Sequence, residues 1–303
     1  MEKNTFATSI YIAAPPRDVA AFLGDGMNLN RYTLHSRMRE QVDETTWLGS
    51  ASGYQGGLYY HARRRELGDI EIVEWHCGAE YGVYHHVYPM FAFAPRYWGA
   101  DEAGTYYHWV SFVDPERVPP MIPEGMPPVH SAEARSLKGV LESARGLRHA
   151  ASGALALTSH TIYIEAPMDG AVAYFADPAN VTEWGFMLRR EGAQLVDEYE
   201  RPVDVRVTLR DLGPYKLIEH DSHYADAIVR APIVLIPCAY AFGRSDAPGL
   251  IMHRITAWPR PTGKAAPDDY MAEAINAKRI VERQAGNLEA FGRGCSYAGG
   301  RRS

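Results

Sequence analysis

Three cysteines in 303 residues (Cys77, Cys238 and Cys295) are too few and too scattered for a disulfide framework, and no CxxC pair is present. The chain therefore reads as one suited to a reducing compartment, the cytoplasm. Long apolar runs are also lacking, so no stretch approaches membrane-spanning length. The opening, MEKNTFATS, has no apolar core of the kind a signal peptide carries. Basic charge is in short supply: 31 Lys and Arg stand against 37 Asp and Glu, a net charge of −6, with no basic stripe. Nucleic acid is accordingly not an expected partner. No GxGxxG, Walker or GxSxG sequence occurs, which leaves nucleotide-binding and serine-hydrolase readings without support.

What the chain does have is a repeat of itself. SIYIAAPPRDVAAFLGDGMNLNRYTLHSR near the start returns as TIYIEAPMDGAVAYFADPANVTEWGFMLR after a shift of 152 residues. Tyr11 falls on Tyr163, Pro15 on Pro167, Asp25 on Asp177, Asn28 on Asn180, Tyr32 on Trp184 and Arg37 on Arg189, without a gap. Further along, a shift of 145 residues carries Glu74 onto Glu219 and His108 onto His253. A chain that repeats at half its length is two copies of one unit. The expected domains are 1–148 and 154–295, joined near Gly146 to Gly153.

Each copy opens with a strand and a short helix and continues as a meander of strands separated by Gly and Asp turns. In the first copy the strands are expected at 39–42, 45–51, 58–65, 70–77, 83–93 and 105–113. The proline-rich stretch VDPERVPPMIPEGMPPVH is expected to exclude a helix interior. An amphipathic helix then runs over 131–147, and its counterpart in the second copy over about 270–291. Antiparallel sheets with one dry face need cover, and these helices are the long elements available. The fold class is therefore α+β: two tandem helix-grip domains, each a curved antiparallel sheet wrapped on a long C-terminal helix.

The openings IYIAAPPRDVAAFL and IYIEAPMDGAVAYF, with Tyr32 and Trp184 at a fixed distance beyond, resemble the START-like or Bet v 1-like (SRPBCC) superfamily. The particular likeness is to bacterial polyketide cyclase and aromatase/cyclase relatives, some of which are tandem didomain proteins. Where those proteins commonly show a Trp-Pro pair, this chain has NRYTLHS and TEWGFML. The resemblance implies a cavity between sheet and helix and a small hydrophobic ligand as partner. It also implies a cyclase, aromatase or dehydratase-type lyase that works by acid–base chemistry without an organic cofactor.

Residues for such chemistry are drawn from the first copy. Alternation along the strand at His108 sets Tyr106, His108, Val110 and Phe112 on one face. Glu74 and His76 share a face of their strand, and Tyr84, His86 and Tyr88 share one of the next. If these faces converge, His108, His76, His86 and Glu74 are the catalytic candidates, and Tyr84, Tyr88, Tyr106 and His253 bind substrate oxygens. The opposite register exposes Glu74 and His76 and buries Trp75, and alternation alone does not choose. A core histidine bonded to a neighbouring strand is the plain alternative for His108 and for His253. His76, His86 and His108 also invite a metal reading, but no HExxH or paired-ligand helix supports it, and no metal is expected. The nineteen tyrosines, against nine phenylalanines, suit either a ligand-lined wall or an ordinary β-rich core. Three functional readings stand: an enzyme acting on an apolar, oxygenated, polyketide-like molecule, a binding protein for such a ligand, or a metal-dependent enzyme using the first-copy histidines. The second copy, with its apolar IVRAPIVLIPCAYAF, is expected to act mainly as scaffold.

Overall fold

The computed structural model describes residues 4–51, 56–113, 121–147, 152–259 and 267–286. The first sheet is built from β1 (Asn4–Ile12), β2 (Ser36–Asp43), β3 (Thr46–Ala51), β4 (Leu58–Leu67), β5 (Ile70–Gly78), β6 (His86–Phe93) and β7 (Thr105–Val113). The second is built from β8 (Leu155–Ile164), β9 (Leu188–Glu191), β10 (Gln194–Asp197), β11 (Pro202–Leu212), β12 (Tyr215–His223), β13 (Ile228–Pro237) and β14 (Leu250–Pro259). Both are antiparallel with the same strand order, β1-β7-β6-β5-β4-β3-β2 and β8-β14-β13-β12-β11-β10-β9. Among the described residues no strand passes from one sheet to the other.

The helices repeat as well. In the first half α1 (Pro16–Leu23) and α2 (Leu29–Tyr32) precede the meander and α3 (Met121–Ser143) closes it. In the second half α4 (Met168–Ala176) and α5 (Val181–Trp184) lead in, α6 (Cys238–Ala241) follows β13, and α7 (Pro267–Gln284) closes. Asp25 and Asp177 do the same work in each copy. Their carboxylates accept the backbone N–H two residues on, from Met27 at 3.0 Å and from Ala179 at 2.9 Å, and so cap a 3₁₀ turn. Asn28 and Asn180 tie that turn back to the Phe22 and Tyr174 carbonyls at 3.0 and 2.9 Å.

Both faces of the central strands are dry, while outer strands such as β2 and β11 are largely exposed. On one face of the first sheet Tyr107 and Trp109 pack with Trp47, Trp75 and Leu137 of α3. Its other face, with Ile72, Phe91, Phe93 and Phe112, packs on Leu217, Val234, Ile236 and Ile251 of the second sheet. The far face of the second sheet carries Ile218, Leu235 and Met252 against Ala274 and Ala277 of α7. The layers thus run helix, sheet, sheet, helix, and β5 is buried at all nine positions. Where loops of the two halves meet, Gly243 sits at φ 58°, and a Cβ there would lie 2.4 Å from the Tyr84 carbonyl.

Two expectations need correction. Helix α3 begins at Met121, not at 131, and contains Pro127 and Pro128. Each proline removes one i→i−4 bond, but the buried face that follows, His130, Glu133, Ala134 and Leu137, anchors the helix regardless. Strand β6 starts at His86 rather than at 83, because the preceding residues form a turn closed by a Glu80–Val83 bridge. Of the expected linker, 148–151 lie outside the described residues, as does everything beyond 286.

Candidate functional site

The structure divides the sequence-derived candidates between two faces. Tyr106, His108, Glu74 and His76 lie between the sheets. His86 stacks on Tyr88 with ring centroids 6.1 Å apart, and Tyr88 packs against the core under α3. Glu74 and His76 do pair, Nε2 to Oε2 at 3.1 Å, and Tyr240 of the second half donates to the same carboxylate at 2.9 Å. Burial raises the Glu74 pKa, but bonds from its neighbours, His76 first, outweigh it and hold the group below the ordinary carboxylate value. Tyr84 packs on His61 and His76. Tyr106 donates to Glu102 at 2.6 Å and accepts from the Leu155 amide at 2.8 Å.

His108 meets its own repeat partner. The His108 and His253 rings are 5.7 Å apart, and each Nδ1 bonds the hydroxyl of the residue paired with it on the next strand. Ser9 serves His108 at 2.7 Å and Thr161 serves His253 at 2.9 Å. Burial lowers both pKa values, His108 well below the usual range and His253 to about 3. Each Nε2 is buried without a hydrogen-bond partner among the described residues. No hydrogen bond or ring contact among the described residues joins His108 to Glu74 or His76.

A different polar group occupies the space under α3. The register of β7 on β1 turns Tyr107, Trp109 and Ser111 toward this helix, and α3 answers with His130 and Glu133, three apart and on one face. Ser111 Oγ lies 2.6 Å from His130 Nδ1, and the Trp109 ring stacks on the imidazole with centroids 4.0 Å apart. His35, half-buried between α2 and β2, places its ring 6.0 Å from that of His130. Glu133 is 0% exposed; its Oε1 accepts the Leu34 amide at 2.6 Å, and its Oε2 has no hydrogen-bond partner among the described residues. The Tyr107 hydroxyl and the Trp47, Trp75 and Trp109 N–H groups are likewise buried without a partner among the described residues.

Burial decides the charge states here. It pushes the Glu133 carboxyl up to about 7, against a smaller pull from the Leu34 and His35 amides and Arg37. It lowers His130 to about 3, helped by the neighbouring His35, and lowers His35, helped by Arg37. Burial and the charges of Tyr32 and Glu133 raise the Tyr107 phenol well above its ordinary value. One ligand atom from each of His35, His130 and Glu133 lies within 4.8 Å of the others, so the group has the composition and spacing to hold a metal ion.

The second half shows the same position filled differently. Glu273 occupies the place of Glu133, accepting the Phe186 amide at 2.8 Å where Glu133 accepts Leu34. Its other oxygen is taken by Arg254, which stands where Trp109 stands in the first half and lies 5.0 Å from the Trp184 ring centre. Met252 replaces Tyr107, Met187 replaces His35 and Tyr270 replaces His130. An open surface depression of about 780 Å³ near Asp177, Arg190 and His223 also belongs to the second half. It holds none of the groups named above.

Sequence reasoning missed His35, His130 and Glu133, although a signal existed. AEARSLKGVLE and AEAINAKRIVE align after a shift of 140 residues, bringing Glu133 onto Glu273, Lys138 onto Lys278 and Glu142 onto Glu282. Glu142 and Glu282 each accept a backbone amide at the end of the opening strand, Ala13 and Glu165, and each pairs with the lysine four residues earlier.

Two antiparallel sheets, each gripping a closing helix, define a tandem α+β helix-grip protein. A family model described as a domain of unknown function (DUF8713) matches residues 1–150 and 157–290, and the chain belongs to that family. No curated protein matches the sequence. Among solved structures, the di-domain ARO/CYC BexL from the BE-7585A biosynthetic pathway aligns over 94% of this chain and 97% of its own, at 12% identity and a TM-score of 0.34. The di-domain ARO/CYC StfQ from the steffimycin pathway aligns over 93% and 99%, at 12% identity and a TM-score of 0.29. A START superfamily protein from Mycobacterium smegmatis covers 46% of this chain and 98% of its own, at 11% identity and a TM-score of 0.32. At these scores the likeness adds nothing to the strand order, and the chemistry rests on the residues.

Proposed function

We propose that the first half is the working half of a small-molecule enzyme of the cyclase, aromatase or dehydratase type. Its site is the polar group under α3, and the second half is its scaffold. One observation carries this reading. The same helix glutamate is neutralised by Arg254 in the second half, whereas in the first its Oε2 has no partner among the described residues, nor has the hydroxyl of the neighbouring Tyr107. Buried polar atoms without partners cost about 1–3 kcal/mol each, a cost that a ligand supplying oxygen atoms would offset. The donors in question, a phenol and indole N–H groups on flat apolar rings, suit a largely apolar molecule that carries carbonyl or hydroxyl oxygens. The openings of the two halves resemble aromatase/cyclase relatives, which sets the polyketide-like substrate class proposed here.

In this reading Tyr107 and Trp109 donate to the ligand's oxygens, and Glu133 exchanges a proton with carbon or oxygen beside a carbonyl. His130, with Nδ1 held by Ser111, keeps the ligand and the carboxyl in register. Glu74, His76 and His108, acid–base candidates from the sequence, serve the seam with Tyr106 and His253, while His86 and Tyr88 flank the core under α3.

The test uses the tryptophans already at the site. Hydroxylated polycyclic aromatics and poly-β-ketone surrogates are titrated against protein fluorescence, and turnover is followed by mass spectrometry. Ligand quenching with turnover, both reduced at least tenfold in Tyr107→Phe, supports the enzyme. Saturable quenching with no turnover of any surrogate makes the protein a carrier. Quenching unaffected by Tyr107→Phe removes the site from under α3.

A further inference from the structure

The three groups at the base of this site have a feature that acid–base chemistry does not need. His35, His130 and Glu133 come from two separate segments, the end of the α2 turn and the buried face of α3. They converge so that one ligand atom of each lies within 4.8 Å of the other two. No hydrogen bond joins any two of these three side chains. Groups so close would ordinarily bond one another directly, since a buried carboxylate oxygen beside an imidazole gains by doing so. Instead Glu133 Oε2 is left without a partner among the described residues, inside a wall that is 0% exposed at Glu133 and 2% at His130.

We infer that His35, His130 and Glu133 form a binding site for a single divalent transition-metal ion. The inference rests on the reading that the space under α3 is the working site and deepens it: with Oε2 given to an ion and Oε1 to the Leu34 amide, polarisation of the ligand by the ion takes the place of proton exchange at Glu133. Two imidazoles and one carboxylate are ligands that zinc, iron(II), cobalt(II) and manganese(II) accept, whereas magnesium and calcium favour all-oxygen sets. Three protein ligands leave a coordination position open, the arrangement of a catalytic rather than a structural ion. Bonds of roughly 2.0–2.2 Å set neighbouring ligand atoms roughly 3–3.5 Å apart. The side chains therefore need to close by about an ångström, within reach of rotamer adjustment at the half-buried His35.

A supporting shell is already in place. Ser111 sits 2.6 Å from His130 Nδ1, which leaves Nε2 to face the ion and holds the ring's tilt; with Nε2 on an ion, Nδ1–H would donate to the Ser111 hydroxyl. The Trp109 ring stacked on the imidazole, and Phe6 at 5.4 Å, hold its plane. Leu34 N–H fixes Glu133 Oε1 and so aims Oε2. Arg37, the neighbouring cation, is held aside by the Thr33 and Ser36 carbonyls at 2.6 and 2.8 Å. An ion with an open position beside Tyr107 would draw electron density from a ligand carbonyl placed there.

The second half is an internal control. Met187 and Tyr270 stand where the histidines stand, and Glu273 is occupied by Arg254. The protein should therefore bind one ion per chain, not two.

The experiment takes full-length protein stripped with a chelator and titrates it with Co²⁺, followed by visible absorption, and with Zn²⁺, followed by calorimetry. One equivalent should bind with a Kd in the micromolar range or below. His35→Asn and Glu133→Gln should each weaken it at least a hundredfold, and Ser111→Ala by roughly tenfold to a hundredfold, the usual effect of losing a partner behind a metal-bound histidine. Glu273→Gln should leave it unchanged. His35→Asn is the safer variant, since its partly exposed position tolerates a smaller side chain. No binding of either ion, or one equivalent that survives both His35→Asn and Glu133→Gln, overturns the inference. If metal fails to bind while Tyr107→Phe still loses ligand, only the ion is withdrawn and the site under α3 stands.

Discussion

The two halves carry the same glutamate on the same helix, hung from the same backbone amide, and put it to different uses. In the second half Arg254 reaches across from β14, lies near the Trp184 ring and closes the Glu273 carboxylate in an ion pair. In the first half the Arg254 position is Trp109, which turns its face to His130 and leaves Glu133 Oε2 without a hydrogen-bond partner among the described residues. One substitution on one strand thus separates a buried pair that stabilises from a buried acid that is available. A duplicated fold can close this one helix carboxylate in one copy and leave it open in the other, with the shared sheet–sheet seam supporting both. The seam shows the opposite behaviour: His108 and His253 have diverged little, each bonded to its own strand's neighbour, because packing asks the same of both.

The comparison can be broken most sharply at the pair itself. Arg254→Met leaves Glu273 buried without its cation, and removing one partner of a buried pair typically costs about 3–5 kcal/mol. Thermal unfolding should fall by many degrees while ligand affinity in the remaining folded protein stays within about twofold. Loss of ligand binding at unchanged stability would make the second half the working one.

A second effect concerns acid. His253 has a folded pKa of about 3, below its ordinary value near 6.5, so protonation favours the unfolded chain. The stability it contributes is full above about pH 6.5 and is lost as pH falls toward 3. His108 shifts in the same direction. Urea midpoints between pH 7 and pH 4 should decline, and His253→Asn, with native stability lower at pH 7, should decline less steeply. An equal slope in the variant would show that the seam histidines are not what titrates.

The smallest effect expected is at the caps. Asp25→Ala and Asp177→Ala should each cost about 1 kcal/mol of stability and leave ligand affinity nearly unchanged, with the same size in both halves. A markedly larger loss of activity in either would give that aspartate a role beyond its turn.

The tandem repeat, the strand–helix openings and the antiparallel meanders were legible from the chain, since the 152-residue shift repeats the openings and the 145-residue shift the later strands. The site was not, for a physical reason. Alternation along a strand tells which residues share a face but identifies the core face only when the other face is wet. Here β5 is buried throughout and β7 is covered by α3 on one side and by the second sheet on the other. His108 and Tyr107 therefore carried equal claims, and the histidine drew attention because it recurred. His130 ends the proline-rich stretch expected to exclude a helix, which separated it from Glu133 in the helix expected over 131–147, although His-x-x-Glu on a helix face is itself a spacing that brings two ligands together.

The central claim, that Glu133 works and Glu273 holds, is tested most directly by paired substitutions measured for ligand binding and for stability. Glu133→Gln should lose most ligand response while the protein melts at the same temperature or higher above pH 7, because a buried carboxyl is replaced by a neutral amide. Glu273→Gln should lower the melting temperature and leave ligand response per folded molecule unchanged. The reverse outcome, with Glu273→Gln abolishing the response and Glu133→Gln only destabilising the fold, would contradict the account.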